Sequence, residues 1–490
     1  MLGAAANWLN TEQFGVNAMN NEPSTASGAT SVPEENTGTQ RTINVQDFIN
    51  SHRISVRQML IVVVCFLTIA IDGFDAQAIG FIAPAIKSTW NLGPADLSRL
   101  FGMGLFGLMV GAFIFGPLAD KFGRKLIIII SVISFGLFSF ASAYAQSIES
   151  LNMLRFLTGI GLGGAMPNLV TITSEFCPQR KRAFLTTLMF CGFTIGGAAG
   201  GILAARMVGV WGWRSVFILG GIAPLVIALI IYFCLPESIR YLVANGKSQE
   251  KIALNLRWIA PGADVSNARF VLAEQKLVGF PVKELFAKGL ASGTACLWIA
   301  FFVNIMVVYF FTLWLPSIVH ALGMSLTKAS VIASVYLLGG TVGGFSIGWM
   351  MDKFNPYKVL IWSMIMGGCA IFLIGHVMST LWLSIVCILI AGMGTSGSQV
   401  GLNALTAAFY PTVNRSTGVS WGLGIGRCGS VVAAMIGGLL LSWKWPLPKL
   451  YLTIALPMLI AALAILGTSL TGRAKIAYGE WRAAAAAAKK

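Results

Sequence analysis

Residues 59–85 read MLIVVVCFLTIAIDGFDAQAIGFIAPA, an apolar run whose only charges are Asp72 and Asp75. About 20 apolar residues cross the hydrocarbon core of a bilayer, so the run predicts a membrane-spanning helix. A charge at the centre of such a helix costs roughly 2.5 kcal/mol or more, and usually faces a bundle interior or a watery cavity. Residues three apart share one helix face. The helix should therefore have an apolar back and an acidic front that marks an ion or substrate path. The competing reading is a packing device satisfied by neighbouring donors. A Ser or Asn would serve that purpose at lower cost.

Outward from this stretch, the composition agrees. Of 490 residues, 56% are hydrophobic and 11% are charged, against about 25% charged in soluble domains. The apolar runs are long and continuous rather than alternating, which selects helices over a barrel. The net charge of +16 would suggest nucleic acid in a soluble protein. Here the basic residues crowd the loops and ends, as membrane topology requires. The eight cysteines lie in or beside apolar runs without metal-ligand spacing and read as small packing residues. His52, His320 and His376 do not cluster. No metal and no cofactor is expected, and no nucleophile–base pair or phosphate-cradling loop points to an enzyme.

Twelve candidate spans follow: about 57–85, 96–119, 124–145, 150–175, 183–210 and 214–235, then 292–320, 328–351, 357–377, 381–408, 416–441 and 448–471. The expected class is an all-α polytopic membrane protein, with two six-helix bundles at 53–235 and 291–472. Residues 1–52 read as a disordered cytoplasmic segment, since the stretch to Gln40 is rich in Asn, Thr, Ser, Gly and Glu. Its first residues lack the basic-then-apolar order of a secretory leader. Residues 236–290 read as a cytoplasmic linker with amphipathic helices. Residues 473–490 read as a cytoplasmic tail whose closing AAAAAAKK is an appended scar or a fraying helix. Arg53, Arg57, Lys121, Arg124, Lys125, Arg180, Lys181, Arg182, Arg473 and Lys475 all fall on the side of the termini. That bias places both termini in the cytoplasm.

An internal repeat joins the halves. Asp120 in GPLADKFGRK recurs 232 residues later as Asp352 in GWMMDKFNPYK, and the same offset carries Asp72 onto Asn304 and Asp75 onto Val307. Pro178 and Arg182 recur as Pro411 and Arg415. Two copies around a midplane site are the architecture of secondary transporters. The lost acids suggest a proton-handling first half and a substrate-handling second half.

The remaining intramembrane charges need partners. Arg155, in NMLRFLTGIGLGG of the fourth span, calls for a first-span carboxylate or a substrate anion. The alternative is a permanent structural ion pair. Glu175 ends the same span and is either functional or an interfacial charge. Arg427 lies about eleven residues, roughly 17 Å, into the eleventh span. No acid in the second half's spans can pair with it, which favours a bound carboxylate over snorkelling or pairing across to the first span. Tyr309, Trp314 and Trp421 share spans with Asn304 or Arg427 and could stack an aromatic substrate, or simply face lipid. Asp120 and Arg124, one turn apart, could make and break salt bridges at a closing surface, or be a solvated loop.

At these residues the chain resembles the major facilitator superfamily, through the 6 + 6 repeat, the GPLADKFGRK loop and its weaker copy, and the Arg155 motif. More narrowly, IDGFDAQAIGFIAPAI, INVQDFINSHRISVRQ, MPNLVTITSEFCPQRKRA and YPTVNRSTGVSWGLGIGR resemble the aromatic acid:proton symporter family. The resemblance covers about residues 50–475. It implies an acidic uptake motif at Asp72 and Asp75, and charged fourth-span positions at Arg155 and Glu175. It also implies a loop gate at Asp120 and Arg124, its second copy at Asp352, and basic eleventh-span positions at Arg415 and Arg427. Tyr357 departs from the pattern, standing where some hydroxybenzoate transporters carry His. Gly196-Gly197 stands where an antiporter motif would have Gly-Pro, which favours symport.

The resulting expectation is a monomeric importer in a bacterial inner membrane. It would couple protons to small aromatic carboxylates of the hydroxybenzoate, protocatechuate and benzoate class by alternating access. Protonation of a first-span acid, assigned together with Arg155 and Glu175 to proton coupling, would free Arg155. Arg427 or Arg155, with Asn304 and the aromatic residues, would take the substrate anion. The alternatives are an exporter or antiporter of aromatic or drug-like compounds on the same fold, and a membrane chemosensor that binds aromatic acids without moving them.

Overall fold

The computed structural model describes residues 41–52, 54–259, 268–271, 282–287, 289–378, 380–411 and 414–487. Among them are twelve helices long and apolar enough to span a membrane. The first six are α1 (Val56–Trp90), α2 (Pro94–Phe122), α3 (Arg124–Ser142), α4 (Ile148–Phe176), α5 (Gln179–Trp211) and α6 (Arg214–Cys234). The second six are α7 (Ala291–Ala321), α8 (Leu326–Lys353), α9 (Pro356–Val377), α10 (Leu381–Phe409), α11 (Arg415–Ser442) and α12 (Leu447–Leu470). The two-bundle, all-helical class expected from the repeat is the one observed.

Local chemistry sets the helix ends. Ser55 caps α1, its hydroxyl accepting from Gln58 N–H while the Gln58 side chain returns to Ser55 N–H, a reciprocal capping box. α1 then runs 35 residues, about 52 Å, and so reaches beyond a ~30 Å hydrocarbon core. Gly123 separates α2 from α3 with φ +105°, a conformation that side-chain-bearing residues rarely adopt. Inside the first bundle α2 and α4 touch backbone to backbone. A methyl group on Gly111 would overlap the carbonyl of Ile160.

The halves meet where α5 lies on α8, α2 on α11 and α1 on α7. At mid-depth the Thr194 and Thr341 hydroxyls are hydrogen-bonded at 2.7 Å. Toward the end away from the termini, Thr327 donates to the Ala205 carbonyl at 3.3 Å and Ser98 to that of Met435 at 3.5 Å. There Phe101 also meets Trp314 edge-on at 5.0 Å. These cross-half contacts lie at mid-depth and at the far end, while at the terminus-bearing end the Asp120 side chain is 76% exposed. The molecule is closed at the far end and open on the side of its termini.

One domain expectation is corrected. Residues 41–51, inside the segment expected to be disordered, are ordered. Strand β1 (Arg41–Asn44) pairs in parallel with β2 (Ala268–Val271) of the central linker, and a short helix, Val45–Ser51, follows. Val45 and Ile49, one turn apart, are buried in a cluster with Ile239, Leu242, Ile252 and Leu256. Asn50 accepts from Gln179 N–H and Gln46 accepts from Arg182. Polar composition hid this segment because its partners lie over a hundred residues away. Residues 1–40 of the expected disordered segment lie outside the described residues, as do Arg53 and Lys288. The linker contains the amphipathic helix Gln249–Ile259. After α12 the helix Gly472–Ala487 folds back, with Arg473 bonded to the Phe409 carbonyl at 2.9 Å and Ala474 buried.

Candidate functional site

Asp75 occupies the middle of α1 and is fully buried. Arg155 of α4 meets it with two guanidinium nitrogens, at 3.0 Å to Oδ2 and 3.3 Å to Oδ1, and also reaches the Asp75 carbonyl at 3.3 Å. Ser139 of α3 donates to Oδ1 at 2.5 Å. The Phe217 ring of α6 lies 5.5 Å from the guanidinium carbon. Four helices thus enclose one bidentate ion pair. A buried pair of this kind barely repays its desolvation, but removing one partner leaves a bare charge.

Asp72, one turn earlier, is also buried. Among the described residues its carboxylate makes no hydrogen bond and no ion pair within 4 Å, and the Arg427 guanidinium, across the seam, acts on it at longer range. Arg427 lies twelve residues, about 18 Å, into α11. It donates to the Tyr309 hydroxyl at 2.8 Å and approaches Met166 Sδ of α4 at 3.6 Å. It does not snorkel to a helix end. Its close contacts among the described residues are neutral, and Asp72 acts on it at longer range. Aspartates expected to act from one face therefore serve different cations. Asp75 is consumed within its own half, and Asp72 faces the other half.

The second-half residues do not all converge here. Asn304 donates to Gln399 at 2.9 Å and to the Thr395 carbonyl at 3.3 Å, beside a π-helical turn, Met393–Gly397, in α10. Such turns widen the helix locally and recur at functional sites. The Asn304 side-chain amide oxygen is buried without a hydrogen-bond partner among the described residues. Trp314 lies five residues beyond Tyr309 along α7. It is fully buried against Phe101 at the closed end, so it plugs the seam rather than lining the Arg427 centre. Trp421 is 38% exposed and stacks on Trp298 at 5.9 Å, about 9 Å along α11 from Arg427. Of the three aromatic residues expected to hold substrate, only Tyr309 reaches Arg427.

A second cluster forms at the terminus-bearing end. Arg124 lies 3.6 Å from both Asp120 and Glu175. Glu175 also accepts from the Ser238 hydroxyl. Glu237 accepts from the backbone N–H groups of Arg124 at 2.9 Å and Lys125 at 3.1 Å, capping α3 where Gly123 turns the chain. Glu175, grouped with Arg155 in the sequence reading, stands apart from it. It lies twenty residues, about 30 Å, along α4 from Arg155, with the loop charges. Asp352 is half-buried on the second half, with one carboxylate oxygen lacking a partner. Arg415 opens α11 on the same side. In this open state Asp120 and Arg124 pair with their own half.

Sequence reasoning missed Ser139, Met166, Gln399, Ser238 and Glu237. Only Glu237 carried a signal, an acid directly after a Pro at the end of an apolar span. No group of three or more metal-ligating side chains occurs among the described residues.

Twelve spans in two matching bundles, closed at one end around buried charges, define a membrane transport protein. The model of the Major Facilitator Superfamily matches residues 65–327 and 297–480, and the chain belongs to that superfamily. It is 42% identical to the 4-hydroxybenzoate transporter PcaK of Pseudomonas aeruginosa over 88% of this chain and 97% of that one. It is 39% identical to the gallate transporter of Pseudomonas putida, over 86% and 94% of the two chains. Among solved structures it resembles the inward-open xylose transporter XylE from E. coli, with a TM-score of 0.65 and 17% identity over 87% of this chain and 99% of that one. That last likeness speaks for the fold alone. The expectation of a transporter rather than an enzyme stands with the family.

Proposed function

We propose that the protein imports small aromatic carboxylates together with protons across a bacterial inner membrane, by alternating access, with both termini in the cytoplasm. The observation that carries this reading is Arg427, a mid-membrane guanidinium bonded to Tyr309 and lacking a contact anion among the described residues. A planar carboxylate matches a guanidinium bidentately, and the Tyr309 ring beside it offers an aromatic surface. Relatives named for 4-hydroxybenzoate and gallate transport support the same substrate class.

The coupling follows from charge. An ionised Asp72 competes with a substrate carboxylate for the field of Arg427. Protonating Asp72 removes that competitor, so proton and substrate favour each other's binding, and the coupling is reciprocal. With both aboard, the seam carries no uncompensated charge and the halves can rock. Asp75 and Arg155 stay closed on each other and hold α1 against α4. With the basic loops facing the cytoplasm, the open end described above is the inward one.

The test is uptake of labelled 4-hydroxybenzoate into proteoliposomes with an imposed pH gradient, acidic outside. Accumulation that requires the gradient, collapses with a protonophore and vanishes in Arg427→Gln is expected. Accumulation that survives the protonophore would refute proton coupling. Loading of everted vesicles on acidification of their lumen would identify an exporter. Binding without any accumulation would leave a chemosensor.

A further inference from the structure

A groove of about 490 Å³ runs along the seam between α2 and α11, at the closed end. Its walls are almost wholly apolar and include Gly102 and Phe106 of α2 and Val431, Met435 and Leu439 of α11. Phe106, Met435 and Leu439 are 44%, 62% and 50% exposed, so the groove opens outward to the lipid rather than inward to the Arg427 centre. Arg99 lines it, exposed, and among the described residues makes no hydrogen bond or ion pair. It lies five residues, about 7.5 Å, into α2. Just past the end of α11 the Trp443 and Trp445 rings pack at 4.7 Å, and Lys449 covers Trp445 at 4.0 Å. Paired tryptophans with a lysine mark the level of the headgroups. From there the groove follows α11 for about 16 Å toward the bilayer middle, from Ser442 to Val431.

We infer that this groove holds an anionic phospholipid of the far leaflet, with its phosphate on Arg99 and one acyl chain between α2 and α11. The charge order suits a lipid standing upright: the long Arg99 side chain can extend toward the headgroup level, and the walls around the acyl chain are apolar. An exposed guanidinium in that position attracts an anion, and a phosphate can meet it bidentately. The two walls belong to different halves. They adjoin only while the far end is shut, so a lipid that fills the groove binds one transport state and not the other. Differential affinity of that kind shifts the population toward the shut-outside state.

The experiment uses the full chain in nanodiscs of phosphatidylglycerol or phosphatidylcholine, released into native mass spectrometry. Nitroxides at Asn91 and Leu322 report the separation of the halves at the far end. The wild type should retain phosphatidylglycerol, and Arg99→Gln should retain roughly fivefold less. Gly102→Phe should abolish retention by filling the groove. A Cβ there meets no neighbouring atom within 4 Å, and the ring would point into the groove, so the fold should survive. Phosphatidylglycerol should raise the fraction of wild-type molecules closed at the far end. That wild-type comparison stands even if a variant fails to fold. Equal retention by wild type and both variants would overturn the lipid assignment. Loss of aromatic-acid binding but not of lipid in Gly102→Phe would reassign the groove to substrate. An unchanged distance distribution between the two lipids would overturn the state dependence.

Discussion

Arg155 grips Asp75 through two guanidinium nitrogens, in a site where neither side chain is more than 4% exposed. The pair ties α1 to α4 and leaves neither charge for another partner. Replacing one member should cost about 3–5 kcal/mol, because the other stays buried and unpaired. Asp75→Asn and Arg155→Gln are each expected to lower the melting temperature of the purified protein and abolish transport. The double variant should recover much of the stability and none of the transport. Additive losses in a thermal-melt cycle would contradict this account.

Asp72 has no such partner, and its role should appear in pH dependence. If substrate binds with Asp72 protonated, affinity rises as pH falls through the titration of that carboxyl. The change approaches roughly tenfold per pH unit above it and levels off below. Asp72→Asn, permanently neutral, should bind at all pH values as the wild type does in acid, and should not accumulate substrate against a gradient. Calorimetric titration of 4-hydroxybenzoate at several pH values measures both. A slope that persists in the variant would move the coupling proton elsewhere.

Tyr309 and Arg427 make a graded test. Removing a hydrogen bond to a charged group costs about 1.5–3 kcal/mol, so Tyr309→Phe should weaken substrate binding by a factor of roughly ten or more while leaving transport measurable. Arg427→Lys keeps the charge without the fork and should fall between Tyr309→Phe and Arg427→Gln. Equal affinity in Arg427→Gln and wild type, measured by equilibrium binding, would remove the anion site from α11.

At the terminus-bearing end, Glu237 is expected to matter for structure rather than affinity. It caps three backbone N–H groups, those of Arg124, Lys125 and Ser238. Losing a cap typically costs about 1 kcal/mol. Glu237→Ala should lower thermal stability modestly and leave the dissociation constant for substrate unchanged. A large change in affinity with no change in melting would argue against it.

The bundle was readable in the residues because burial in lipid leaves few options. Long apolar runs become helices, and the repeat at 120 and 352 pairs them into halves. The buried cations were readable for the same reason, since charge inside a span is too costly to be idle. Partner choice was not. Asp72 and Asp75 differ by one turn, and only the placement of α4 and α11 around α1 assigns one to Arg155 and the other to Arg427. Trp314 and Glu175 lie apart from the Arg427 and Arg155 centres because a position along a helix is a depth. Trp314 falls at the closed end and Glu175 about 30 Å from Arg155. Val45 and Ile49 sit one turn apart in a short amphipathic helix, a signal too weak without its distant partners.

The parallel pairing of β1 with β2 has a consequence for assembly. Residues 41–44 are synthesised more than two hundred residues before their hydrogen-bonding partners, residues 268–271. The strand cannot be satisfied until all six helices of the first bundle have been made and inserted. Its closure therefore cannot precede completion of the first bundle, and it fastens residues 41–44 to the linker behind that half.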